Sequence, residues 1–305
     1  GGARLADGLS QVLDPGALTV IVNVGDDFEY YGLKICPDLD TVCYSLAGME
    51  NPDTGWGLVG ESWHMLESLK QLGVEIWFRL GDRDLATHLE RTRRLKNGET
   101  LCQVTRTFCE AWGIASHVLP ATNDPVPTIV HTDAGTLSFQ EYFVYRQCAP
   151  RVNSFVFQNA ESAKPAEGVL QALKQADLIV FCPSNPWVSI DPILAIPGIR
   201  MAIEERLQEQ SLPVVAVSPI IGGKTIKGPA AKMCLELGLT PSALTIAQYY
   251  GSLLNAFVMD QFDHPLATSV RSQCLDVLVT DTIMRGREGR KRFAYEILTW
   301  VGGTQ

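Results

Sequence analysis

Five carboxylates fall within fifteen residues in the segment Thr19–Tyr44, TVIVNVGDDFEYYGLKICPDLDTVCY: Asp26, Asp27, Glu29, Asp38 and Asp40, with Lys34 the only base among them. They follow an apolar run, Val20 to Val24, that reads as a buried strand. Acid at the exit of such a strand sits where open α/β sheets place their ligands. A solvated acidic loop is the plain alternative, and it fits Glu29 best. Asp40 is harder to assign to solvent. In Pro37-Asp38-Leu39-Asp40-Thr41 the proline stiffens what reads as a turn before a new apolar segment. A rigid carboxylate there suits a divalent metal or a ligand hydroxyl.

Other groups able to bind anions lie in loops. Gly1-Gly2 runs into a helix, whose free N–H groups and positive dipole end suit phosphate; a tag remnant is the bland alternative. Pro183-Ser184-Asn185-Pro186 and the stretch from Ser218 to Pro229 each follow an apolar strand. Ser184, Asn185 and Ser218 offer short polar groups, Gly222, Gly223 and Gly228 expose backbone, and Lys224 and Lys227 add charge. Either loop could also be ordinary turn chemistry. Arg79, between Trp77-Phe78 and a glycine turn, can clamp phosphate or stack on a flat ring. Asp82 or Asp84 can cap the next helix, and Arg91, Arg93 and Arg94 read as a solvated face with Glu90. The five histidines are scattered and carry no signature. No HExxH, GxGxxG or Walker GxxxxGK[ST] pattern occurs, which disfavours zincin, dehydrogenase and P-loop readings.

The elements that must hold these groups alternate. Helices are predicted over Ala3 to Leu13, Glu61 to Leu72, Asp84 to Leu95, Thr100 to Trp112 (with a Thr100/Gln103 capping box) and Pro192 to Gln208. Strands are predicted over Val20 to Val24, Leu178 to Cys182, Pro213 to Val217, Ala256 to Met259 and Val277 to Val279. Pro127 to Thr132 and Thr136 to Val144 read as a β-hairpin turning at Asp133-Ala134-Gly135, with Ser154 to Phe157 a further strand. Strands alternating with helices imply an α/β, Rossmann-like, mostly parallel sheet with helices on both faces and a small hairpin insertion. The whole chain, 1–305, is expected to be one domain, with 115–165 a β-rich sub-domain inside it.

The bulk properties agree. The 305 residues are 46% hydrophobic, enough for a large core, with net charge −9 and pI about 5.1. No basic run invites nucleic acid, and no eighteen-residue apolar run suits a membrane. The eight cysteines form no CxxC pair and read as reduced residues of a cytoplasmic protein.

Taken together and in order, VNVGDDFEYYGLKICPDLDTVCY, RLGDRDLATH, LPATNDPVPT, PSNPWVSIDPIL, VAVSPIIGGKTIKGPAAKM and VTDTIM resemble the 2-phospho-L-lactate transferase family over almost the whole chain. In that family a first strand and a Gly-Gly-x-Gly-Gly-type loop come first, and this chain is expected to start inside that loop. The resemblance implies that a guanosine diphosphate-linked three-carbon acid gives its phosphorylated acid, phospholactyl or phosphoenolpyruvyl, to the ribityl hydroxyl of a deazaflavin. GMP is released and coenzyme F-420 results. Mg²⁺ is the implied cofactor and a homodimer the family-level expectation. Asp40 and Arg79 match deazaflavin-site positions, with Asp40 as metal ligand, orienting group or base. Gly1, Gly2, Asn23, Asp26, Ser184, Asn185, Ser218, Gly222 and Gly228 fall in segments resembling the guanine nucleotide site. A more distant resemblance, to nucleotide-sugar-binding regulators linked to gluconeogenesis, implies binding without turnover.

Overall fold

The computed structural model describes residues 1–208, 212–273 and 275–303. The chain opens with α1 (Gly2–Ser10), the strand β1 (Thr19–Val22) and a short antiparallel hairpin of β2 (Phe28–Tyr30) and β3 (Leu33–Ile35). Then come four helices, α2 (Pro37–Leu46), α3 (His64–Gln71), α4 (Asp82–Lys96) and α5 (Leu101–Ala111), and the strand β4 (His117–Pro120). An antiparallel unit follows, β5 (Thr128–Thr132), β6 (Gly135–Ser138) and β7 (Val152–Phe157), ordered β6-β5-β7. The remainder alternates: α6 (Val169–Gln175), β8 (Ile179–Phe181), α7 (Asp191–Leu194), α8 (Ile199–Gln208), β9 (Val214–Val217), the two-residue strands β10 (Ile220–Ile221) and β11 (Lys224–Thr225), α9 (Ala230–Glu236), α10 (Ala243–Tyr250), β12 (Ala256–Asp260), α11 (Ala267–Arg271), β13 (Asp276–Thr280) and α12 (Gly286–Gly303).

The sheet is parallel where the sequence pattern requires it. Strands β13-β12-β9-β8 form a four-stranded parallel sheet, and β1 pairs in parallel with β4 in a separate ladder. The two-residue alternation of strand side chains divides the core. Val214, Ala216, Phe257 and Met259 pack on one face with Ile199 and Ile203 of α8, Ile246 of α10 and Val270 of α11. Val215, Val217 and Val258 pack on the other with Leu5 and Leu9 of α1 and Phe293 and Ile297 of α12. Burial on both faces explains why β9 reads as an unbroken apolar run. Each such fully buried side chain contributes roughly 1.5–3 kcal/mol.

Several predicted boundaries shift, each for a local reason. The segment Pro37–Leu46 is a helix and not a turn: Pro37 occupies its first turn, where a missing N–H costs nothing, and Asp38 and Asp40 lie beside its positive end. The strand predicted to Val144 ends at Ser138 and continues as a π-helical turn, Glu141–Tyr145. Phe139 and Tyr142, three apart, both enter one core cluster, which strand alternation could not achieve. The helix predicted over Pro192 to Gln208 is two helices, separated at Pro197-Gly198, where Gly198 takes φ +88°. The Thr100–Gln103 capping box is present in both directions. The seven described cysteines are free, with Cys43 and Cys109 Sγ atoms 3.9 Å apart; Cys274 lies outside the described residues.

Candidate active site

The loop leaving β1 is organised by one amide. Asn23 is buried, and its Nδ2 donates to Asp26 Oδ1 at 3.0 Å, Asp38 Oδ2 at 2.9 Å and the Val188 carbonyl at 3.3 Å. Its Oδ1 accepts from the Gly25 N–H at 2.8 Å. A primary amide has two hydrogens, so three acceptors share them and the two carboxylates stay under-neutralised. Burial raises the pKa of Asp26 well above its ordinary value, and the neighbouring Asp38 raises it further. Burial likewise raises Asp38, against the Asn23 hydrogen bond. The N-terminal ammonium of Gly1 lowers Asp38 in part, while for Asp26 a second carboxylate close by adds to burial. Glycine is required at position 25, because a β-carbon there would stand 2.5 Å from Thr128 Oγ1.

The start of α1 meets the same place. A β-carbon on Gly1 would be 1.9 Å from the Pro183 carbonyl oxygen, and one on Gly2 would be 3.0 Å from Ser184 Oγ. Gly1, Gly2 and Ser184 are therefore in mutual contact at the carboxyl end of β8, and the Val188 carbonyl ties Asn23, Asp26 and Asp38 to the segment that follows. The remaining expected nucleotide residues shape loops. Asn185 accepts from the Trp187 N–H at 3.1 Å and donates to Met233 Sδ at 3.0 Å. Ser218 is buried in its own turn, donating to the Ile220 carbonyl at 2.8 Å and accepting from the Ile220 N–H at 3.2 Å. The Gly222 N–H is held by Asp263 at 3.1 Å, and the Gly228 carbonyl accepts from Thr225 Oγ1 at 2.8 Å. What these loops offer a ligand is backbone. Lys227 donates to the Thr54 carbonyl at 3.0 Å, which draws the loop between Asn51 and Gly57 toward the same cleft.

Asp40 belongs to a second network, facing α4. Arg91 takes both its oxygens, Nη1 to Oδ2 at 3.1 Å and Nη2 to Oδ1 in a closer contact. Arg91 Nη1 also lies 3.2 Å from His88 Nδ1, which makes that nitrogen the acceptor and puts the ring proton on Nε2. That Nε2 is 3.3 Å from Asp84 Oδ2, close but out of hydrogen-bond alignment. Tyr44 Oη is 2.6 Å from Asp84 Oδ1 and 2.9 Å from Thr87 Oγ1. Burial opposes the guanidinium charge of Arg91, and Asp40 more than compensates, raising its pKa. For Asp84 burial is likewise outweighed, by His88 and Tyr44, and its pKa is lowered. Two sequence expectations are corrected here: Arg91 is 3% exposed and not on a solvated face, and His88 is 1% exposed and central. Asp84, Thr87, His88 and Arg91 follow the i, i+3, i+4, i+7 spacing of one helical face; of these, the sequence places only Arg91 at the solvent. Arg93 and Arg94 do pair with Glu90 at the surface. Arg79 stands outside this network, exposed, its guanidinium 4.1 Å from the Trp63 ring centroid.

Asp40, Asp84 and His88 bring potential metal-ligand atoms within 4.8 Å of one another. The Arg91 guanidinium already occupies both Asp40 oxygens there, and Mg²⁺ prefers oxygen to ring nitrogen. That donor set does not fit Mg²⁺. Asp26 and Asp38 do, being oxygen ligands with raised pKa values and, among the described residues, no basic side chain within salt-bridge distance. Next to them, Asp27 is held by Lys34 at 3.3 Å and by the Cys36 thiol at 3.1 Å, and burial lifts its carboxyl to about 6.

A parallel α/β sheet with glycine, serine and acid loops at its carboxyl ends is a Rossmann-like architecture. Comparison with known proteins narrows the class. The profile of the family described as 2-phospho-L-lactate transferase CofD matches residues 1–288, and the chain belongs to this transferase family. It is 41% identical to the phosphoenolpyruvate transferase of Streptomyces coelicolor, over 98% of this chain and 94% of that protein. It is 39% identical to the phosphoenolpyruvate transferase of Mycobacterium tuberculosis, over 92% and 91% of the two chains. Among solved structures, a UPF0052-family protein from Bacillus halodurans superposes with TM-score 0.62 at 16% identity, covering 98% of this chain and 96% of that one, and shares the fold.

Proposed function

We propose that this chain transfers a phosphorylated three-carbon acid from a guanosine diphosphate-linked donor to the ribityl hydroxyl of a deazaflavin, in coenzyme F-420 biosynthesis. The acid proposed is phosphoenolpyruvyl, after the names of the relatives. The hydroxyl oxygen forms a bond to the phosphorus that bears the acid, the anhydride bond to the other phosphorus breaks with its electron pair going to the GMP phosphate oxygen, GMP leaves, and the hydroxyl proton passes to water. Such a transfer needs positioning and neutralisation of charge more than covalent help.

The observation that carries this reading is the Asp26–Asp38 pair around Asn23, set against Gly1, Gly2 and Ser184. In this reading Asp26 and Asp38 hold Mg²⁺, which when bound neutralises the diphosphate. Gly1, Gly2, Ser184, Gly222 and Gly228 offer backbone and hydroxyl donors to the nucleotide, while Asn185 and Ser218 hold the loops in shape. Asp40, clamped by Arg91, is a fixed group on the acceptor side and orients the hydroxyl. Arg79, stacked on Trp63, is an exposed contact for the acceptor ring. The protein works in the cytoplasm, as a homodimer in this reading. Among the described residues no helix is long and apolar enough to cross a membrane.

The test is GMP release by the purified full-length protein with the phosphoenolpyruvyl donor, deazaflavin and Mg²⁺, with mass spectrometry of the product. The expected result is acceptor-dependent GMP and a phosphoenolpyruvyl adduct. Nucleotide binding with no GMP above a no-acceptor control would instead fit a binding-only regulator.

A further inference from the structure

Asp27 is the buried carboxylate of the opening cluster that the proposed reaction leaves without a task, and its environment is unusual. Its side chain is 5% exposed. Oδ2 is satisfied by Cys36 and Lys34, but Oδ1 is buried with no hydrogen-bond partner among the described residues. A buried carboxylate oxygen is unfavourable to leave unpaired unless a ligand completes it. Asp27 lines a cavity of about 180 Å³, together with Lys34 and Asn123 and the apolar Val24 and Leu95. Asn123 uses its Oδ1 on the Cys102 N–H at 2.8 Å, and among the described residues its Nδ2 has no hydrogen-bond acceptor. Asp124 also lines the cavity, its Oδ2 already accepting from the Lys164 N–H at 2.9 Å. The lining thus presents one strong acceptor, Asp27 Oδ1, with two donors, Lys34 Nζ and Asn123 Nδ2, between apolar walls.

We infer that this cavity receives the lactam edge of a planar heterocycle, the ring N–H donating to Asp27 Oδ1 and adjacent carbonyl oxygens accepting from Lys34 and Asn123. The inference rests on the proposed reaction, since both of its reactants carry such an edge: the pyrimidinedione of the deazaflavin and the guanine of the donor. The cavity adjoins the acceptor side, because the Lys34 carbonyl accepts from Arg91 Nη1 at 3.4 Å and Arg91 in turn holds Asp40. The deazaflavin is therefore the occupant expected. Apolar walls with a few convergent polar groups are the usual construction of a ring pocket, and a site built to hydrogen-bond an N–H discriminates strongly against a ring lacking it.

The test measures binding without turnover. Deazaflavin fluorescence titration and GMP calorimetry are run on wild type, on Asp27→Asn, which presents N–H₂ to the cavity if its oxygen keeps the Cys36 and Lys34 bonds, and on Asn123→Asp, which keeps the acceptor for Cys102 but removes the donor. Thermal unfolding reports whether each variant is folded. Asp27→Asn is expected to weaken deazaflavin binding roughly 10- to 100-fold, the scale of a lost hydrogen bond to a charged group, with GMP affinity unchanged. Methylating the ring N–H of the deazaflavin should weaken binding to wild type by a similar factor and have little added effect on Asp27→Asn. A loss confined to GMP would keep the lactam site and make guanine its occupant. Unchanged affinity for both ligands in folded Asp27→Asn and Asn123→Asp would overturn the inference. Failure of wild type to bind either ligand would overturn the proposed function instead.

Discussion

Replacing Asp38 with Asn should stabilise the metal-free protein while abolishing its response to Mg²⁺. One oxygen of Asp26 and one of Asp38 each lie within 3.0 Å of the same Asn23 nitrogen, so the two are separated by no more than about 6 Å. Two unit charges at that distance repel by roughly 3 kcal/mol at an effective dielectric of about 20. Both side chains keep some solvent contact, so about 1–2 kcal/mol is the reasonable expectation. The folded-state pKa of each carboxyl is raised, so the ionised forms disfavour the fold. Stability should therefore fall as pH rises from the ordinary carboxylate value through the raised folded one, and then level off. Asp38→Asn removes one charge, keeps an acceptor for Asn23 and flattens that fall. With an unfolding entropy near 2.1 cal/mol/K per residue, a chain of 305 residues should gain roughly 2–3 °C in Tm at neutral pH. Wild type in Mg²⁺ at about one hundred times its Kd should gain roughly 2.7 kcal/mol, and the variant nothing. Scanning calorimetry in chelator and in Mg²⁺ across pH measures all of this. A variant that unfolds at lower temperature in chelator, or keeps the Mg²⁺ shift, would refute both the repulsion and the metal assignment.

Two further perturbations address other parts of the site. Arg91→Met leaves Asp40 buried without its counter-charge and should cost about 3–5 kcal/mol in urea unfolding, while Asp40→Asn/Arg91→Met should recover most of it; a double variant as unstable as the single one would show that the pair is not the coupling. Gly25→Ala drives a β-carbon to 2.5 Å from Thr128 Oγ1 and should lower Tm and Mg²⁺ affinity together, with partial rescue by Thr128→Ala, checked by calorimetry of both variants.

What the sequence made legible follows from how far each signal reaches along the chain. The parallel sheet announced itself through local patterns, such as the unbroken apolar run of β9, and the capping box at Thr100 needs only four residues to be seen. The gathering of Gly2, Ser184 and Asn23 was visible only as resemblance, since residues more than 150 apart in the chain meet in space. Arg91 and His88 were missed because a polar stripe on a helix looks the same whether it faces water or a buried carboxylate; the partner that decides, Asp40, is 51 residues away from Arg91.

The direction in which Asp40 points is set by the helix Pro37–Leu46 that carries it. Read as a turn, Pro37-Asp38-Leu39-Asp40 presents two interchangeable acids to one cleft. In the helix it forms, successive residues rotate by about 100°, so positions i and i+2 point to nearly opposite sides. Asp38 therefore reaches back to Asn23 and Asp26, while Asp40 turns to α4 and is neutralised by Arg91. Asp38 has no basic side chain within salt-bridge distance among the described residues, and Asp40 is already paired with Arg91. In the proposed function, the same helical turn divides metal binding from acceptor positioning. If Asp38→Asn lost Mg²⁺ binding and kept deazaflavin affinity, while Asp40→Asn/Arg91→Met did the reverse, that division would hold; identical losses in both would put the two acids back in one site.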